Sequence, residues 1–281
     1  MSKILRIVLV VLLTTFLLVD ASLAQLKYPR VSQGAKVTQT AGLTDITISY
    51  HRPGVKGRVI WGELVPFDAV WRTGANEATT IEFSTEVSVA GTKIAAGKYS
   101  LFTIPSREEW TIVINKNPNT WGAYDYKPEE DVVRFKVKPE TSGHQEWLVF
   151  TFENLSKGSL DVVMRWEKVK VTFPVAFSTD EMVLKGARAD LGWQPGYRAA
   201  AYCLDNNLSL EDGKKWIEQS VSVEKTYGNL SLKARYLALD KKYKDAVKTM
   251  QEALELGQKM DNKPMNYGEM ENLLNEWKKI K

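Results

Sequence analysis

Apolar positions change their period partway along this chain. From residue 31 to about residue 177 they tend to recur at every second position. Ile46, Ile48 and Tyr50 alternate with polar partners, and Trp110, Ile112 and Ile114 share a face. Leu148, Phe150 and Phe152 share another, as do Leu160, Val162, Met164 and Trp166, and then Val169, Val171, Phe173 and Val175. Period two with turn residues between the runs predicts half-buried antiparallel strands. Turns are read at Ala90-Gly91-Thr92, at residues 154–158, and at a Ser142-Gly143 break that makes His144 an exposed turn residue. About ten strands in this length suit an antiparallel β-sandwich or jelly roll.

Beyond Pro174 the recurrence becomes three and four, in a stretch rich in Ala, Leu, Lys and Glu. That predicts an all-α region of helical hairpins. Ser209 with Asp212, and Asn266 with Glu269, read as helix starts. An internal echo sets Tyr197, Ala201, Leu204, Gly213, Ile217 and Ser220 against Leu230, Ala234, Leu237, Ala246, Met250 and Ala253. Its spacing is close to the roughly 34 residues of the tetratricopeptide repeat, which the alternation of small and large positions resembles. Two such units bury their faces poorly alone. They are expected to pack on the β-domain or on a protein partner, with residues 266–281 as a closing helix.

Ahead of both regions lies a different segment. Lys3 and Arg6 precede an apolar run to Val19, and Ala21-Ser22-Leu23-Ala24 offers small residues where a signal peptidase cuts. Residues 1–24 therefore read as a secretory signal peptide, cut before Gln25. No cysteine lies near the cut to take a lipid, and no later segment is long and apolar enough to span a bilayer. The chain is expected in the periplasm or secreted, as a β-domain over 25–177 and a helical region over 178–281.

Charge and cysteine count narrow the classes further. The formal net charge is +4, and its cations are scattered singly, which argues against a nucleic-acid partner. A single cysteine, Cys203, excludes an intrachain disulfide, so packing must hold the fold. Cys203 lies in an apolar helical run and reads as a small buried residue.

Most candidate chemistry falls short of its pattern. Gly91 to Lys98 has the wrong glycine spacing for a phosphate loop and carries Tyr99 where a hydroxyl should hold magnesium. Two histidines, His51 and His144, stand far apart, so no zinc set is apparent. Asp125, Glu129, Glu130 and Asp131 read as a solvated acidic turn rather than a calcium loop. No metal and no cofactor is expected. Residues 51–77 are different, with Arg52, Lys56, Arg58 and Arg72 crowded among glycines, prolines, Trp61 and Trp71. Arginine offers a planar fork of donors to carboxylates, phosphates and sugar hydroxyls, and tryptophan offers a flat apolar face. Asn76 and Glu77 add orientable polar groups. The competing reading pairs Arg58 or Arg72 with Glu63 or Glu77 internally, with both indoles filling the core ends. Trp121, Tyr124 and Tyr126 form a second aromatic loop that could border the same cleft.

These residues carry a resemblance. Tyr50-His-Arg-Pro53, Lys56-Gly-Arg58, Gly62-Glu-Leu-Val-Pro66 and Val70-Trp-Arg-Thr-Gly-Ala-Asn-Glu77 resemble a bacterial exported family, domain of unknown function 2911. Residues 96–105, Trp110-Thr-Ile-Val-Ile-Asn115 and Trp121-Gly-Ala-Tyr124 extend it over residues 28 to about 175. The resemblance implies export and a shared site, and it carries over no catalytic residues. The expected function is a non-catalytic module that binds a polar ligand, a glycan or an anionic envelope component, through Arg52, Arg58, Trp61, Trp71, Arg72, Asn76 and Glu77. The helical tail would contact a protein partner or brace the sandwich. Two alternatives stand beside it: a hydrolase using Glu77 with His51 or Asp68, and a structural envelope scaffold.

Overall fold

Alternation along the first part of the chain folds into two antiparallel sheets. A computed structural model describes residues 28–189 and 192–280. The expected signal peptide lies outside the described residues. The strands are β1 (Gln33–Ala41), β2 (Thr44–Arg52), β3 (Thr80–Phe83), β4 (Val87–Val89), β5 (Thr92–Ile94), β6 (Gly97–Ile104), β7 (Trp110–Asn115), β8 (Asp131–Val137), β9 (Glu140–Glu153) and β10 (Ser159–Ala176). Six pair in the order β1-β2-β3-β6-β7-β8 and four in the order β5-β4-β10-β9. One apolar core lies between the sheets. Ile46, Ile48, Ile81, Leu101, Ile112 and Ile114 enter it from the first, and Leu148, Phe150, Leu160, Val162, Phe173 and Val175 from the second. Each such side chain contributes about 1.5–3 kcal/mol when fully buried.

Strand β10 shows how local backbone overrides simple alternation. Its apolar residues sit on even positions to Trp166 and on odd positions from Val169. Period two alone would send the two sets to opposite faces. The pairing of β10 with β9 shifts register on both sides of Glu167, whose φ is 56°. Four steps along β10, from Arg165 to Val169, oppose eight along β9, from Val149 to Thr141, and both apolar sets of β10 face the same core. The register also corrects the reading of Ser142-Gly143. Those residues lie inside β9, and His144 is an exposed strand residue rather than part of a turn. Ser142 to His144 have no register partner in β10 and form the β9 side of the irregularity at Glu167.

The outer face of the six-stranded sheet is partly roofed. The connection from β7 to β8 folds back over it, burying Phe102 and Val113 with Ala78, against Val70, Ala123 and Tyr126. Gly122 makes the bend, with φ 67°, and a Cβ there would press on the Tyr124 ring at 3.0 Å.

Six helices follow among the described residues: α1 (Thr179–Ala189), α2 (Trp193–Asp205), α3 (Leu210–Val223), α4 (Tyr227–Leu239), α5 (Tyr243–Gln258) and α6 (Tyr267–Trp277). Neighbours pack as hairpins around two cores of their own. Small residues permit the close approaches. A Cβ on Gly213 would collide with the Tyr236 hydroxyl, which donates to Ala200 O at 2.7 Å. Helices begin at the expected Ser209 and Asn266, but neither side chain caps. Ser209 has φ 43°, and Asn266 Oδ1 instead accepts from the Tyr227 hydroxyl at 3.0 Å. The capping box is at Thr226 and Asn229, a pair not picked out from the sequence. The helices meet the sandwich at the β9–β10 turn. There Lys157 pairs with Asp180 at 3.1 Å and donates to Asn206 at 3.0 Å, and the Thr179 hydroxyl donates to Lys157 O. No helix is long and apolar enough to cross a membrane among the described residues.

Candidate functional site

Between β2 and β3 the chain runs through residues 53–79 without forming a regular strand or helix. Connections this long are uncommon in compact domains and tend to be functional. This one is pinned at several points. Val55 N–H donates to Glu146 O at 2.8 Å, and Leu148 N–H donates to Pro53 O at 3.1 Å. Trp71 and Thr103 exchange both backbone bonds, at 2.7 and 2.9 Å. Gly122 N–H donates to Asn76 O at 3.2 Å. Lys56, Asp68, Thr73 and Asn76 all have φ between 51° and 59°. Non-glycine residues rarely adopt that conformation, least of all a β-branched threonine. Such strain persists where surroundings over-determine it, and it concentrates at functional sites.

The tryptophans of this connection turn inward. Trp61 and Trp71 join Trp110 and Trp166 in a cluster at one end of the core. Trp61 lies edge-on to Trp110 at 4.8 Å, and Trp71 stacks on Trp166 at 5.8 Å and 19°. The Trp71 indole N–H donates to Gly74 O at 3.1 Å. The indole N–H groups of Trp61 and Trp166 are buried with no acceptor among the described residues. A buried donor left unpaired costs about 1–3 kcal/mol.

The buried edges of Trp71 and Trp166 back a cavity of about 270 Å³. Its charged lining is Lys56, Arg58 and Arg72, with no carboxylate, and Pro53, Gly54, Val65, Gly74 and Ala75 complete much of the wall. Arg58 is held by main-chain carbonyls, with Nε to Val55 O at 3.1 Å and Nη2 to Gly54 O at 2.5 Å. Arg72 has a buried Nε without an acceptor, and no carboxylate pairs with its guanidinium among the described residues. Neither arginine meets Glu63 or Glu77. Beside this rim the Glu146 carboxylate accepts from Lys56 N–H at 2.9 Å.

A second, open groove of about 520 Å³ lies on the outer face of the six-stranded sheet. Ser49, His51, Thr80 and Lys98 form much of its floor, Pro118 to Trp121 a wall, and Glu77 one end. Glu77 is paired here with Arg30 at 2.5 Å. The Arg30 guanidinium also lies 5.7 Å from the centre of the Trp121 ring, within cation–π range. His51 stands between them, Nδ1 3.4 Å from Glu77 Oε2 and Nε2 3.4 Å from Arg30 Nη1. The hydrogen bond from Arg30 holds the Glu77 carboxyl below its ordinary value. Burial is the largest influence on His51 and pushes its pKa down, so its neutral form is favoured. Proton on Nδ1 toward Glu77, with Nε2 facing the Arg30 donor, is the tautomer that suits both neighbours.

The seven residues expected to form one site are thus distributed. Arg58, Trp71 and Arg72 line the cationic cavity, and Glu77 lines the groove. Trp61 sits in the indole cluster and lines neither. Arg52 donates from Nε to Leu148 O at 2.7 Å, bracing β2 to β9. Asn76 donates to Ser32 O at 3.2 Å and tethers the segment that carries Arg30. Asp68 is exposed, donates its backbone N–H to Pro105 O at 2.8 Å, and lines neither opening with Glu77. Lys56, marked in the sequence among the cations of this segment, joins the cavity, whereas Trp166 there and Arg30, Asn119 and Thr120 at the groove carry no sequence signal of a site. Trp121, expected to border the same cleft, instead lines this separate groove, together with His51 and Glu77.

No curated protein and no solved structure matches the chain. A family model does, over residues 32–175, the span of the sandwich and of both openings. The chain belongs to the family described as protein of unknown function (DUF2911).

Proposed function

We propose that the protein is an exported, non-catalytic binding module that holds a small anionic ligand in the cavity between Lys56, Arg58 and Arg72. The observation that carries this is the charge of the lining: three cations and no carboxylate line the cavity, and Arg72 Nε is buried with no acceptor among the described residues. A carboxylate or phosphate group would answer the Arg72 guanidinium through charge-assisted bonds. The volume equals about nine waters at roughly 30 Å³ each, which suits one acidic sugar or a similarly small polyanion. The hydrolase alternative has His51 3.4 Å from Glu77, but it has less support because Arg30 already engages Glu77 and Asp68 lines neither opening.

The remaining parts of the reading are proposals of the same kind. Residues 25–177 would be the binding domain of a chain released by cleavage after Ala24. Residues 178–281 would form a tetratricopeptide-like tail that braces the sandwich or docks a protein. Titration calorimetry of the purified chain with sulfate, citrate and glucuronate tests the central claim. Binding should occur, and Arg72→Ala should weaken it by at least about tenfold while the thermal melt stays in place. An Arg72→Ala chain that unfolds would make the arginine an internal brace and leave the scaffold reading.

A further inference from the structure

We infer that the groove on the outer face of the six-stranded sheet is a second binding site, for a short neutral saccharide. It shares no lining residue with the cationic cavity, so it goes beyond the anion reading and does not depend on it. Three features of the groove point to this class of ligand. The first is polar capacity left unused. Thr120 is 4% exposed and its hydroxyl is buried without a partner, although it lines the groove. The side chains of Ser49, Thr80 and Asn119 also form no hydrogen bond among the described residues. Hydroxyls and an amide both donate and accept, as sugar hydroxyls do.

Charge is the second feature. Glu77 is answered by Arg30, His51 is held toward its neutral form, and Lys98 is the one further charged group of the lining. This near balance gives little attraction for a polyanion, in contrast to the other cavity. The third feature is an apolar platform. Trp121 keeps 54% of its surface exposed even with Arg30 beside its ring. An exposed indole next to free hydroxyls suits a ring with one C–H face and a polar edge. Nearly twice the volume of the cationic cavity leaves room for more than one such ring.

The test is titration of the purified full chain with cellotriose, maltotriose and chitotriose, followed by calorimetry and tryptophan fluorescence. At least one should bind. Trp121→Ala should then weaken it by about tenfold or more, and Trp121→Phe by less. Asn119→Ala, a change at an exposed side chain, should weaken it as well, and it decides the matter if Trp121→Ala fails to fold. The inference is overturned if none of the three sugars binds at about 10 mM. It is also overturned if binding survives both Trp121→Ala and Asn119→Ala. Sulfate binding lost with Arg72→Ala but kept with Trp121→Ala reports the other cavity and is independent of this result.

Discussion

Two openings flank residues 72–77, and they differ in how their charges are answered. In the cavity backed by Trp71 and Trp166, three cations face no lining carboxylate. In the groove beside Trp121, Glu77 is matched by Arg30, and free hydroxyls dominate the remaining polar surface. The indoles differ in the same way. Trp71 and Trp166 are walls fixed by the core, whereas Trp121 stands out from a loop. Similar residue types thus serve as scaffold on one side and as accessible surface on the other. What separates the two roles is the partner each side chain finds. An unpaired guanidinium and an exposed indole are costly or idle in the free protein, which makes them informative.

The largest effect should separate the inner indoles from the outer one. Trp110→Ala or Trp166→Ala removes a nearly fully buried ring and should destabilise the sandwich by about 3–5 kcal/mol. Trp121→Ala should cost about 0.5 kcal/mol or less, as surface changes usually do. Urea melts of the three variants check this. Equal losses would mean that Trp121 is also structural, and the contrast would fail.

Salt should give the next largest separation. Attraction between exposed charges is screened over about 10 Å at 0.1 M and about 3 Å at 1 M. Sulfate or glucuronate affinity should therefore fall steeply across that range, whereas saccharide affinity at the groove should change by less than about twofold. Titration of each probe at the two salt concentrations is the measurement. A salt-independent sulfate affinity would count against the arginine-lined cavity as its site.

Much of the sandwich was legible because alternation reports which face of a strand is buried, and β2, β7 and β9 follow it. The irregularity at Glu167 was not, since each apolar run of β10 looks normal on its own and the surplus residues lie on β9. Within the site, the crowding of arginine and tryptophan marked the right segment but could not say which way an indole points. Trp61 and Trp71 lie in an irregular connection, where period carries no directional information. Arg30 was missed for a different reason. Its partner Glu77 is far along the chain, and only the folding of Tyr28 to Ser32 across residues 76–77 brings them together. Long-range pairing of that kind has no signature in spacing.

Acid should give the smallest effect, and its sign is fixed by two shifts in the same direction. His51 has a folded-state pKa below its ordinary 6.5, chiefly through burial. Below pH 6.5 the unfolded chain takes up this proton more readily than the fold, so stability falls as pH drops from there toward the folded value. Glu77 has a folded-state pKa below its ordinary 4.5, chiefly through the hydrogen bond from Arg30. Its contribution is present above pH 4.5 and is lost as pH falls through the folded value. The melting temperature should decline in two stages, with His51→Gln removing the upper and Glu77→Gln reducing the lower. Both steps should be small, because the Glu77 side chain is 44% exposed and screened by solvent. No histidine and no carboxylate lines the cationic cavity, so sulfate affinity should stay level between pH 5 and 8. If that affinity rose as His51 gained its proton, the groove and the cavity would be electrostatically one site, and the distinction between them would be lost.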